Sequence, residues 1–95
     1  MNNYERIKNA YDLIIKKEEL EMKIKIYSDL PLHPKYPCIS YEYYADSSTG
    51  NKTARIKISE GQLRCFINSV INDLEVQINA IQTKINKIME AHDDN

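Results

Sequence analysis

Apolar residues repeat every seven positions along the last third of the chain. Such an a/d repeat is typical of a helix whose narrow apolar seam packs against another helix. Ser59 and Gln62 precede the repeat with the spacing of a capping box, and Glu60 lies where the helix dipole favours negative charge. The pattern predicts one helix over about residues 60–91. Its a/d seam is Ile67, Ile71, Leu74, Ile78, Ile81, Ile85 and Ile88.

The N-terminal segment has a helical period over about residues 3–17. Its apolar stripe, spaced three, four and three residues apart, is Tyr4, Ile7, Tyr11 and Ile14. The period then changes to two, because Met22, Ile24 and Ile26 alternate with polar residues. This alternation predicts a strand over Glu21–Tyr27, which competes with a first helix that continues to Ser28.

Two further alternating stretches, residues 38–45 and 53–59, flank a polar turn at residues 46–51 and predict a β-hairpin. A register that pairs Tyr43 with Ala54 places the apolar side chains on one face. The other pairs of this register are Tyr41 with Ile56, Ile39 with Ile58, and Glu42 with Arg55 on the opposite face.

The predicted fold is therefore a single α+β domain over residues 1–95 with the order α-β-β-β-α. A small antiparallel sheet, the hairpin plus one strand, packs on the helices. A last helix of about 32 residues is ~48 Å long, whereas a compact domain of this size has a radius of gyration of ~12 Å. The overhanging seam predicts a homodimer or a higher oligomer. The alternative is that the first helix folds back and covers at most two heptads of the seam.

The composition and charge of the chain argue against some classes of function. The net charge of −1 argues against a protein whose main role is to neutralise a nucleic-acid backbone. No apolar run approaches the ~20 residues of a membrane span, and the N-terminus lacks the features of a signal peptide. We therefore expect a cytoplasmic protein with no membrane association.

Motifs for catalysis are missing from the sequence. The only glycines are Gly50 and Gly61, so no glycine-rich phosphate loop exists, and Cys38 and Cys65 do not form a Cys-x-x-Cys pair. A nucleophilic pair of Cys38 with His33 is conceivable, but a packed thiol and a solvated loop histidine are the more common arrangement. We expect no enzymatic activity, no cofactor and no metal site.

The order α-β-β-β-α is also that of double-stranded-RNA-binding domains, and Pro31-Leu32-His33 is similar to their P-x-H loop. Those domains present lysines to phosphate at the start of the last helix, where this chain has Ser59-Glu60-Gly61-Gln62. The sequence therefore identifies no family.

The most distinctive segment is a loop that contains Pro31, Pro34 and Pro37. Five of the seven tyrosines lie between residues 27 and 44, in this loop and beside it. Tyrosine is enriched at protein interfaces, and prolines lower the entropy lost on association. Lysine and arginine on the outward face of the sheet add positive charge. The predicted partner-binding residues are His33, Lys35, Tyr36, Tyr44, Tyr27, Arg55 and Lys57.

These features predict a non-enzymatic, homo-oligomeric protein-interaction module. Such a chain is typical of small inhibitors or adaptors, of the phage or plasmid accessory type, that bind a larger host protein. One alternative is an oligomer that sequesters a small anionic ligand such as a nucleotide. A second is nucleic-acid binding through the Lys/Arg/Tyr face of the sheet.

Overall fold

The computed structural model describes residues 2–31, 33–46 and 50–90. In these residues the order is α1 (Asn3–Ser28), β1 (Cys38–Asp46), β2 (Gly50–Lys57) and α2 (Glu60–Glu90). The α+β class and the long C-terminal helix are confirmed. The chain divides into two compact units. We call residues up to Leu30 together with those from Ser69 onward the helical unit, and the intervening residues the hairpin unit.

Helix α2 begins where its capping box predicts. The backbone N–H of Gln62 donates to Oγ of Ser59 at 3.0 Å, and the backbone N–H of Ser59 donates to Oε1 of Gln62 at 2.8 Å. The two bonds satisfy N–H groups that the first helical turn would leave unpaired. Glu60 lies in the first turn and Lys87 in the last, as the helix dipole favours.

The predicted third strand, Glu21–Tyr27, is wrong, and the competing continuation of the first helix to Ser28 is what forms. The helical register places Leu20, Ile24 and Tyr27 four and three residues apart on one face, where they pack into the core of the helical unit. An extended segment would instead have sent Ile24 to the same side as its exposed neighbours Met22 and Ile26. The order is thus α-β-β-α, with a sheet of two strands.

The middle of the α2 seam, from Leu74 to Ile85, is covered by α1 within the chain. Residues Leu74, Ile81 and Ile85 are buried with Leu20 of α1 in one cluster, and Leu13 of α1 packs against it. At 26 residues, α1 is ~39 Å long, which is long enough to cover more than the two heptads that a 15-residue helix would cover. Four of the seven predicted seam residues, Leu74, Ile78, Ile81 and Ile85, therefore pack within the chain, and assembly through the seam stays a prediction.

The face of α1 that packs inward differs from the predicted stripe. Leu13, Leu20 and Ile24 pack into the core cluster with α2, whereas the stripe residues remain solvent-exposed. Their exposed fractions are 75% for Tyr4, 69% for Ile7, 60% for Tyr11 and 41% for Ile14. Helix α1 is therefore apolar on two sides, and sequence spacing selected the wrong one as the core.

The hairpin forms, but its register is two residues away from the predicted one. Tyr43 pairs with Lys52, Tyr41 with Ala54, and Ile39 with Ile56. Gly50 begins β2 at φ 69°, a left-handed conformation that suits glycine, and the ladder has a bulge between Tyr44 and Asp46. A shift of two preserves which side chains share a face. The predicted pairs of Tyr43 with Ala54, Tyr41 with Ile56, Ile39 with Ile58 and Glu42 with Arg55 are therefore wrong.

Candidate functional site

The proline-containing loop is held against the start of α2 in the hairpin unit. The backbone N–H of Ile58, just after β2, donates to the carbonyl oxygen of Pro37 at 3.3 Å. Nδ1 of His33 lies 2.5 Å from Oε1 of Glu60 in the first turn of α2. These two links fix both ends of the segment that carries Lys35 and Tyr36.

A concave site of about 500 Å³ opens between this segment and the ends of the two strands. Cys38 pairs with Lys57, and Ser40 pairs with Arg55, so Arg55 and Lys57 stand on the same face of β2 at neighbouring positions. We call this the cationic site. Its lining residues are Lys35, Tyr36, Pro37, Cys38, Arg55, Lys57 and Ile58.

The cationic site carries three positive side chains and no carboxylate among its lining residues. Within the described part of the chain, neither Arg55 nor Lys57 makes an ion pair. The ammonium of Lys35 lies 5.5 Å from the ring centroid of Tyr36, within cation–π range. Unpaired guanidinium and ammonium groups side by side suit an anionic ligand, and the guanidinium can bind a carboxylate or phosphate through two hydrogen bonds.

Two glutamates of the hairpin unit have other neighbours. Glu60 is engaged by His33 and lies 3.7 Å from the Arg64 guanidinium. Glu42 shares the strand face with Ser40 but pairs across from Thr53, one step farther along the ladder than Arg55. Neither Glu42 nor Glu60 belongs to the residues that line the cationic site.

Four of the seven predicted partner-binding residues meet in this site, namely Lys35, Tyr36, Arg55 and Lys57. His33 lies outside the lining set and instead holds the loop through Glu60. Tyr44 pairs with Asn51 near the turn, at the other end of the ladder. Tyr27 belongs to the helical unit, where it packs partly buried against the core.

Sequence reasoning missed three lining residues, Pro37, Cys38 and Ile58. A correct register would have found Cys38, since it is the cross-strand partner of Lys57. The thiol of Cys38 is exposed, and the imidazole of His33 contacts Glu60 instead of that thiol.

Among the described residues, no group of three or more histidine, cysteine or acidic side chains is placed to hold a metal ion. Over the same residues, none of the helices has the length and apolarity needed to cross a bilayer.

Comparison with known proteins finds no matching protein-family model, no matching curated protein and no matching solved structure.

Proposed function

We propose that this chain is a non-enzymatic protein-interaction module whose cationic site binds an acidic segment of a larger partner protein. The observation that supports the proposal is the convergence of Lys35, Arg55 and Lys57 around the exposed ring of Tyr36, with no carboxylate lining the site. In this proposal the cationic groups select an aspartate-rich, glutamate-rich or phosphorylated segment, and Tyr36 supplies the apolar contact.

Each part of the cationic site has a physical role in such binding. Tyr36 is 77% exposed, so a partner that covers it removes a large apolar surface from water. Pro34 and Pro37 restrict the loop before binding, which lowers the entropy lost when the complex forms. The bond between His33 and Glu60 adds a further restraint. A small cytoplasmic inhibitor or adaptor of the phage or plasmid accessory type would use a preformed site of this kind.

A second candidate function is the sequestration of a small anionic ligand such as a nucleotide. The site volume of about 500 Å³ falls in the range of small-molecule pockets. In this alternative, Arg55 and Lys57 bind phosphate and the ring of Tyr36 stacks on a base. Nucleic-acid binding through the same residues is a third, weaker candidate, since the net charge of the chain is −1.

Site-specific photo-crosslinking tests the leading proposal. A photoreactive phenylalanine analogue replaces Tyr36 in cells of the natural host, and the matched control carries it at Tyr44, which is also exposed but lies at the turn end of the hairpin. We expect one dominant protein adduct at Tyr36 and not at Tyr44. The adduct should disappear when Arg55→Glu and Lys57→Glu are added, while the far-ultraviolet circular dichroism stays unchanged. An adduct that survives both charge reversals contradicts the proposal.

Thermal shift and salt titration separate the other candidates. A nucleotide sequesterer gains stability with millimolar ligand, and the gain is lost in the Arg55→Glu variant. A nucleic-acid binder loses affinity steeply as salt rises. Either result without a Tyr36 adduct would replace the leading proposal by the corresponding alternative.

A further inference from the structure

Helix α1 carries a second apolar face, on the side away from the core of the helical unit. We call this the outer face of α1, and it consists of Tyr4, Ile7, Tyr11, Ile14, Ile15, Met22 and Ile26. The exposed fractions of these residues range from 37% at Ile15 to 75% at Tyr4. A helix that is apolar on two sides normally has a packing partner on each of them.

Part of this face is concave. Ile7, Ala10, Tyr11 and Ile14 line a largely apolar groove of about 390 Å³. Its other lining residues are Asn3, Arg6 and, near the end of α2, Met89. Met89 is itself 60% exposed. The groove therefore offers a recess between the two helices of the helical unit, into which apolar side chains of another helix can insert as knobs.

The exposed area of the outer face is comparable to the area that one partner buries in a specific protein–protein interface. Side chains of this size present roughly 200 Å² each when fully exposed, so these seven expose on the order of 800 Å². A standard protein–protein interface buries about 800 Å² per partner, and the largest apolar patch of a typical monomer is about 300–600 Å². The patch is thus large enough to support a stable dimer.

Charges on the same side of α1 indicate what covers it. Lys8 lies in the N-terminal half of the helix, whereas Glu18, Glu19 and Lys25 lie in the C-terminal half, with Lys25 in the last turn. Two copies of α1 that pack parallel would place Glu18 against Glu18. In an antiparallel pair centred near residue 13, Lys8 of each copy faces the Glu18–Glu19 pair of the other, and Tyr4 faces Met22. Of the two arrangements, the antiparallel one brings these opposite charges together.

We propose that a second copy of this chain covers the outer face of α1, with the two α1 helices antiparallel. Each copy contributes α1 and the part of α2 that packs against it. The pair therefore forms a four-helix core in which the outer faces of the two α1 helices pack against each other. This assembly uses α1 instead of the α2 seam. It is independent of the cationic site, which belongs to the hairpin unit.

The solution mass of the full chain is the first test. We expect twice 11.1 kDa at micromolar concentration. Ile7→Glu should raise the dimer dissociation constant on the order of 100-fold, because the charge enters both halves of the interface. Val76→Glu is the matched control, since Val76 is 66% exposed on α2 and Ile7 is 69% exposed on α1. The control should remain dimeric, and both variants should keep the wild-type circular dichroism.

Charge exchange tests the identity and direction of the occupant. Lys8→Glu and Glu18→Lys should each weaken self-association, since each leaves like charges facing one another. An equimolar mixture of the two variants should recover a heterodimer, as should the double variant with itself. The loss in each single variant and the recovery of the double variant are specific to an antiparallel pair. In a parallel pair residue 8 faces residue 8 and residue 18 faces residue 18, so like charges face one another in every one of these homodimers.

Three results would overturn the proposal. The first is a wild-type chain that stays at 11.1 kDa at concentrations of hundreds of micromolar. The second is a dimer that Ile7→Glu does not weaken or that charge exchange does not restore. The third is a monomer that binds neutral or anionic lipid vesicles through Ile7, which would assign the face to a membrane surface.

Discussion

Lys17 of α1 donates a hydrogen bond from Nζ to Oε1 of Gln82 on α2 at 2.7 Å. The two residues are 65 positions apart in the sequence and both are partly buried. Their bond joins the two helices and satisfies a charged group that the packing of Leu13 and Leu20 brings close to α2. It therefore helps to fix which turn of α1 lies against which turn of α2.

Truncation of Leu20 tests how much the interface between α1 and α2 contributes to stability. Leu20 is 7% exposed within the core cluster, so Leu20→Ala should lower the free energy of unfolding by about 2–4 kcal/mol. Val76→Ala is the control, because Val76 is 66% exposed and alanine is a better helix former than valine. Its effect should stay within about 0.5 kcal/mol. Urea denaturation measures both, and equal effects would mean that Leu20 does not lie in a core.

The two glycines should respond oppositely to alanine. Gly50 has φ 69°, a backbone conformation in which an L side chain is strained, so Gly50→Ala should destabilise by about 1 kcal/mol although the space beside Gly50 is open. Gly61 lies in the first turn of α2, where an added Cβ would lie 3.9 Å from Oγ of Ser59, an ordinary contact. Gly61→Ala should therefore stabilise by about 0.5–1 kcal/mol. Thermal unfolding measures both signs, and a stabilising Gly50→Ala would refute the turn geometry.

Loss of the capping box should destabilise the start of α2. Ser59→Ala removes the acceptor for the backbone N–H of Gln62 and should cost about 1 kcal/mol of stability. Ser69→Ala is the control, because Ser69 is an exposed residue away from the ends of the same helix. This substitution should be neutral or slightly stabilising. Measured free energies of unfolding of the two variants test this prediction, and equal values would show that the cap contributes no stability.

Local signals in the sequence predicted much of the fold. The Ser59 capping box and the heptad repeat located α2, and the alternation around the polar turn located the hairpin. These features depend on neighbouring residues, which a sequence displays directly. The same holds for Arg55 and Lys57, whose spacing of two places them on one strand face and hence in the cationic site.

The wrong predictions concern features that depend on tertiary packing and on the geometry of the turn. The alternation of Met22, Ile24 and Ile26 fits a strand, but the burial of Ile24 beside Leu20 and Tyr27 favours a helix. Because α1 has two apolar sides, its sequence does not show which one faces α2. The hairpin register depended on the bulge after Tyr44 and on the conformation of Gly50, neither of which alternation reveals.

The central structural claim is that α1 covers the α2 seam from Leu74 to Ile85 within one chain, and the proposed dimer uses the outer face of α1 instead. Methyl–methyl nuclear Overhauser effects test it most directly, with labelled protein diluted into a large excess of unlabelled protein. Contacts of the Leu20 methyls with those of Leu74 and Ile81 should persist at full strength under dilution, because they lie in one core cluster of one chain. Their loss on dilution, with recovery only between differently labelled copies, would contradict the account.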